Sequence, residues 1–69
     1  MPSSVIKAAY YRPDEMVLDI MFTTGRRYLY HRVPPEEAER FAAASSKGRY
    51  FNAHIRDRYN FTEVTPAET

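Results

Sequence analysis

Sixty-nine residues and 8.1 kDa allow one domain with a thin core, since a chain this size buries only about 60% of the surface its unfolded form exposes. Without cysteine, neither disulfides nor thiolate-bound metal can supplement that core. Hydrophobic residues at 43% and charged residues at 28% exclude a disordered chain, and a net charge of +1 provides no whole-molecule field for nucleic acid.

No apolar run approaches the roughly 20 residues of a membrane span. Met1-Pro2-Ser3-Ser4 lacks the basic region and apolar stretch of a signal peptide, so a cytoplasmic protein is expected.

Residues 4–11 and 15–22 are rich in Val, Ile, Tyr and Phe and read as strands. Between them, Arg12-Pro13-Asp14-Glu15 suits a type I turn with Pro at its first central position. At Thr23-Thr24-Gly25 a three-residue loop with Gly25 left-handed spares a β-branched residue from positive φ. Residues 26–33 form the third strand.

A one-residue slip between paired strands reverses every side chain, so loop length decides which residues form the core. Three-residue loops at both turns place Ile6, Ala8 and Tyr10 beside Phe22, Ile20 and Leu18. Tyr28 and Tyr30 join that face, with Met16 at its end. The other face then carries Lys7, Asp19, Arg27 and His31, but also Val17, Met21 and Leu29, with Ala9 and Tyr11 adding to a mixed surface.

Val33-Pro34-Pro35 marks a helix start: the first Pro keeps Val33 extended, and Pro35 suits a first turn where its missing N–H costs nothing. Glu36 and Glu37 place negative charge where the helix dipole favours it. Ala38, Phe41, Ala42 and Ser45 form a narrow buried stripe. A second helix is predicted over residues 47–58 with Phe51, Ile55 and Tyr59 inward, and residues 61–64 alternate weakly enough to suit a short edge strand. The expected fold is therefore α+β: an antiparallel three-stranded meander followed by two short helices on one sheet face. It occupies residues 3–64 as a single domain, with residues 65–69 a frayed tail.

Several of these residues match a known pattern. Ser3-Ser4 before Ile6, the Tyr10 to Pro13 turn, Phe22 with Gly25, Tyr28-Leu29-Tyr30 and Val33-Pro34 precede Ser46-Lys47-Gly48-Arg49-Tyr50-Phe51-Asn52, which is followed by Ile55-Arg56 and Tyr59. The chain in this respect resembles the KTSC domain, found at the C-terminus of some lysyl-tRNA synthetases and as short single-domain bacterial proteins. The resemblance carries over no catalytic residues, and no cofactor is expected. RNA, tRNA by analogy with the synthetase context, is the partner it suggests.

The residues themselves offer one binding surface. Ser46, Lys47, Gly48 and Arg49 open a helix, where free N–H groups, two cations and a bare glycine backbone favour an anion. The plainer reading is a capped helix start with Ser46 as N-cap. At helical spacing Arg49, Asn52 and Arg56 share a face, with Lys47 and Arg58 nearby and Tyr50 one step off it. Such basic residues interleaved with Tyr suit phosphate contact and base stacking. The plainer alternative pairs these arginines with Glu36, Glu37, Glu39 and Asp57, and lets Asn52 bond a neighbouring carbonyl.

His31 and His54, the only imidazoles, match no metal-ligand spacing, and nothing selects a Ser for a nucleophilic triad. A non-enzymatic binding module without metal is expected. Two readings follow: RNA or another phosphate-bearing ligand on the basic helix face, or a protein partner on the second sheet face around Val17, Met21 and Leu29.

Overall fold

The central strand, β2 (Val17–Phe22), alternates Leu18, Ile20 and Phe22 with Val17, Asp19 and Met21, so its two faces differ in chemistry. In the computed structural model, which describes residues 6–64, it pairs antiparallel with β1 (Ile6–Arg12) and β3 (Arg27–Tyr30). A fourth strand, β4 (Phe61–Val64), adds antiparallel to β3 as the sheet edge. Helices α1 (Pro35–Ala43) and α2 (Lys47–Tyr50) follow β3, and α2 continues as a π-helical turn, Phe51–Ile55. The expected α+β meander and its edge strand are both present. Ser3, Ser4 and the tail over residues 65–69 lie outside the described residues.

The β2–β3 hairpin follows the expected register, with Leu18 opposite Tyr30 and Ile20 opposite Tyr28. Gly25 adopts φ 95°, as the three-residue loop requires. The β1–β2 register is different. Arg12 pairs with Val17, so the loop has four residues, 13–16, and Met16 takes the left-handed φ of 54°. That one extra residue turns Ala9 and Tyr11 to the helix side and Ala8 and Tyr10 to the other, opposite to expectation. A bulge between Ile6 and Ala8 restores Ile6 to its partner Phe22. The Tyr11 hydroxyl then donates to the Val33 carbonyl at 2.6 Å, fastening β1 to the chain entering α1.

Both helices cover the same face of the sheet. Leu18, Ile20 and Tyr30 meet Phe41, Phe51 and Ile55 there, with Val33 and Ile6 completing the core. Among the described residues, neither helix covers the opposite face. At its centre Asp19 accepts from Arg27 at 2.9 and 2.6 Å and from Arg12 at 3.4 Å, which compensates a carboxylate only 6% exposed.

Three further expectations are corrected. Strand β3 ends at Tyr30 rather than residue 33, since Arg32 takes a left-handed φ of 59°. Ala42 and Ser45 are exposed, and Glu37 is buried in their place with Ala38 and Phe41. Regular helix in the second segment stops at Tyr50, where hydrogen bonding passes to the wider spacing and Arg56 N–H reaches the Phe51 carbonyl at 2.8 Å.

Ile20 has no exposed surface and lies under both helices. Chemical denaturation of Ile20→Ala is expected to show a loss of about 2–5 kcal/mol, a large share of the stability of a domain this small. A loss below about 1 kcal/mol would mean that the sheet does not carry the core.

Candidate functional site

Tyr28 and Tyr30 of β3 point towards the helices, Arg26 just before the strand lines the same groove, and Phe61 of β4 pairs beside Tyr30. The π-helical turn runs above these side chains. In an α-helix each residue advances about 100° around the axis, and the wider turn advances less. That brings Arg56 round towards Asn52 and the sheet edge. Between the two layers lies a groove of about 510 Å³, within the range of small-ligand sites. Phe22, Tyr28, Tyr30, Phe51 and Phe61 form its walls. Thr24, Arg26, Asn52, Arg56 and Asp57 supply its polar rim.

The rings meet edge to face except Tyr30 and Phe61, which are tilted at 34°, and these contacts fix the walls. Phe22 lies 5.3 Å from Tyr28 and 5.4 Å from Phe51, and Tyr30 lies 5.3 Å from Phe51. Phe61 is 5.2 Å from Tyr28 and 5.3 Å from Tyr30, yet remains 52% exposed. Burial, with Tyr28 and Asp57 adding to it and Arg56 opposing, pushes the Tyr30 hydroxyl above its ordinary pKa, so it stays a neutral donor. Arg26 is raised by a hydrogen bond with Tyr28 and by the charge of Glu63, its exposed partner at 3.6 Å.

The basic surface read from sequence is divided. Asn52 and Arg56 line the groove. Ser46, Arg49 and Tyr50 line a separate, shallower depression beside Ala53 and His54. Lys47, Gly48 and Arg58 line neither. Ser46 caps the helix, its Oγ accepting the Arg49 N–H at 3.3 Å, and Lys47 Nζ donates to the Ala44 carbonyl at 3.3 Å. Gly48 is buried.

The Tyr50 hydroxyl donates to buried Glu37 at 2.6 Å, and its ring lies 6.2 Å from Phe41 and 4.4 Å from His54. It therefore ties α2 to α1. Among the described residues, exposed Asn52 makes no carbonyl bond, and the ion pairs are with Asp19 and Glu63, not with Glu36, Glu37, Glu39 or Asp57. His31 bonds Thr62 Oγ1 at 2.9 Å, far from the His54 stack in connectivity, and the described residues include no cluster of three or more metal-ligating side chains.

Sequence reasoning missed Arg26, Asp57 and Phe61 as groove residues. The alternation of 26, 28 and 30 carried a signal for Arg26. Phe61 becomes visible only once β4 is known to pair with β3.

Fold and groove define a two-layer α+β module with an aromatic cleft at one sheet edge. This chain belongs to the KTSC domain family, whose model matches residues 2–59. It is 46% identical over 57 residues to a protein of Tsukamurella paurometabola, spanning 83% of this chain and 85% of that one. The crystal structure of a KTSC domain protein from Yersinia pestis is similar at a TM-score of 0.84 and 33% identity, over 94% of this chain and 92% of that one. A lysine–tRNA ligase of Nostoc punctiforme is 37% identical over 62 residues, which is 90% of this chain and 11% of the ligase. No helix among the described residues is long and apolar enough to cross a membrane.

The Tyr50–Glu37 bond makes a further expectation. Hydrogen bonding to Glu37, then burial, raises the Tyr50 pKa above 10.0, so the folded state holds its proton more tightly than the unfolded state. That stabilisation is complete below pH 10 and declines as pH rises through the folded value. Tyr50→Phe is expected to cost about 1–3 kcal/mol at pH 7 by leaving Glu37 without its donor. Urea midpoints measured from pH 8 to 11 are expected to fall less steeply in this variant than in the parent. Parallel curves would separate Tyr50 from the alkaline transition.

Proposed function

We propose that this protein is a small non-enzymatic module that binds single-stranded RNA in the aromatic groove, with bases on its rings and phosphates on Arg26 and Arg56. Phe61 carries the reading. Exposing a phenylalanine forgoes part of the roughly 1.5–3 kcal/mol that full burial provides, and a stacked base would recover it. Here the exposed ring stands beside Tyr28 and Tyr30, at the mouth of a groove rimmed by two guanidines.

The net charge of +1 makes phosphate attraction a minor share of affinity, so stacking dominates. A relative named a lysine–tRNA ligase supports RNA as the ligand class, and tRNA within it. Of the basic helix face, Asn52 and Arg56 enter the groove. Lys47, Arg49 and Arg58 serve at most as outer phosphate contacts.

A protein partner on the open sheet face is the alternative. That face is less suited to it, because its centre is the charged Arg12–Asp19–Arg27 cluster, and of its large apolar residues Tyr10 is exposed whereas Val17 is buried and Met21 and Leu29 are half-buried.

Fluorescence anisotropy with a labelled single-stranded RNA heptamer, at several salt concentrations, separates stacking from charge. Phe61→Ala is expected to weaken binding by about 1–3 kcal/mol with the salt slope unchanged. Arg56→Ala is expected to flatten the log–log slope by about 0.7, and Arg49→Ala to flatten it far less. No binding at low salt, or binding indifferent to Phe61, would overturn the proposal.

A further inference from the structure

The groove holds one group that phosphate binding does not explain. Asp57 is an acid on a rim otherwise furnished by Arg26, Arg56, Asn52 and Thr24, and it repels the phosphates that the guanidines attract. It makes no ion pair or hydrogen bond among the described residues, although Arg56 is its chain neighbour. Its charge nevertheless reaches inward, since it opposes ionisation of Tyr30, which lies in the groove wall. A carboxylate so placed faces a ligand as a pair of acceptors with no donor.

Among the four RNA bases, only guanine presents two adjacent donors, N1–H and the N2 amino group, on its Watson–Crick edge. Adenine and cytosine each offer one amino group beside an acceptor, and uracil offers one N–H between two acceptors. Single-stranded RNA is read on these edges once its bases are unstacked. A paired, charge-assisted contact to a carboxylate is the stronger kind of hydrogen bond. Asn52 does not choose between bases, because its amide has one acceptor and one donor side and can turn to suit either.

Resting on the RNA reading above, we infer that the groove selects guanine, with the Asp57 carboxylate accepting from N1–H and N2–H while the base stacks on Phe61. No bond is made or broken.

The test uses four labelled heptamers, UUUGUUU, UUUAUUU, UUUCUUU and UUUUUUU, and a fifth with inosine at the centre, which keeps N1–H and lacks the N2 amino group. The guanine probe is expected to bind about five- to 150-fold more tightly than the adenine, cytosine and all-uracil probes, with inosine between. Asp57→Asn replaces one acceptor by a donor, and is expected to reduce the preference to less than about threefold, with the all-uracil probe binding more tightly because the charge that repels its phosphates is gone. The site is exposed, so the variant is expected to fold, and an unchanged melting temperature verifies it. Equal binding of all five probes, or a preference that survives Asp57→Asn, overturns guanine selection and leaves RNA binding standing. Absence of binding by every probe overturns both.

Discussion

The ring of Phe51 is the wedge on which the structure depends. It enters between Phe22 and Tyr30, at 5.4 and 5.3 Å, and is 5% exposed. With Ile55 one turn on, it seats the second helical segment on the sheet. The same residue begins the π-helical turn, and its carbonyl accepts the Arg56 N–H. Core and groove therefore share a wall: one side of Phe51 closes the interior, and the groove opens beside it. In a domain with so thin a core, shared use of one aromatic cluster is economical, since rings buried for stability also shape the cleft.

The two sheet faces are stabilised in different ways. The helix side gains from burial of Leu18, Ile20, Tyr30, Phe41 and Ile55. The open side is held by charge at its centre, where Asp19 receives both Arg27 and Arg12. Removing Arg27 would leave a buried carboxylate with only the longer Arg12 contact at 3.4 Å, so those arginines are accounted for by the fold. Arg26 and Arg56 are not committed in this way: among the described residues the first has a contact with Tyr28 and an exposed pair with Glu63, a kind of contact of little energetic weight, and the second has no ion pair.

Much of the fold was legible because local chemistry and global pattern agreed. Gly25 fixed the second loop, and the alternation of β2 and β3 then sorted Leu18, Ile20, Tyr28 and Tyr30 onto one face. The first hairpin was misread by one residue, since Met16 adopts a left-handed conformation that its side chain does not announce. Glu37 was legible as a helix-start acid but not as a buried one. Its partner Tyr50 lies 13 positions away, beyond any local pattern. The basic helix face was drawn with uniform α-helical phase, and the change to a π-helical turn separated Arg49 from Asn52 and Arg56. Phe61 lay hidden for a topological reason, as it joins Tyr30 only through a strand pairing across the intervening helices.

The most direct measurement is an amide NMR titration of the isotopically labelled protein with the UUUGUUU heptamer. The largest shift changes are expected at Tyr28, Asn52, Arg56 and Phe61, with Ala8, Met21 and Arg27 on the opposite face unmoved. Changes centred on that opposite face or on Ser46 to Arg49, or none at millimolar RNA, would contradict RNA binding in the groove.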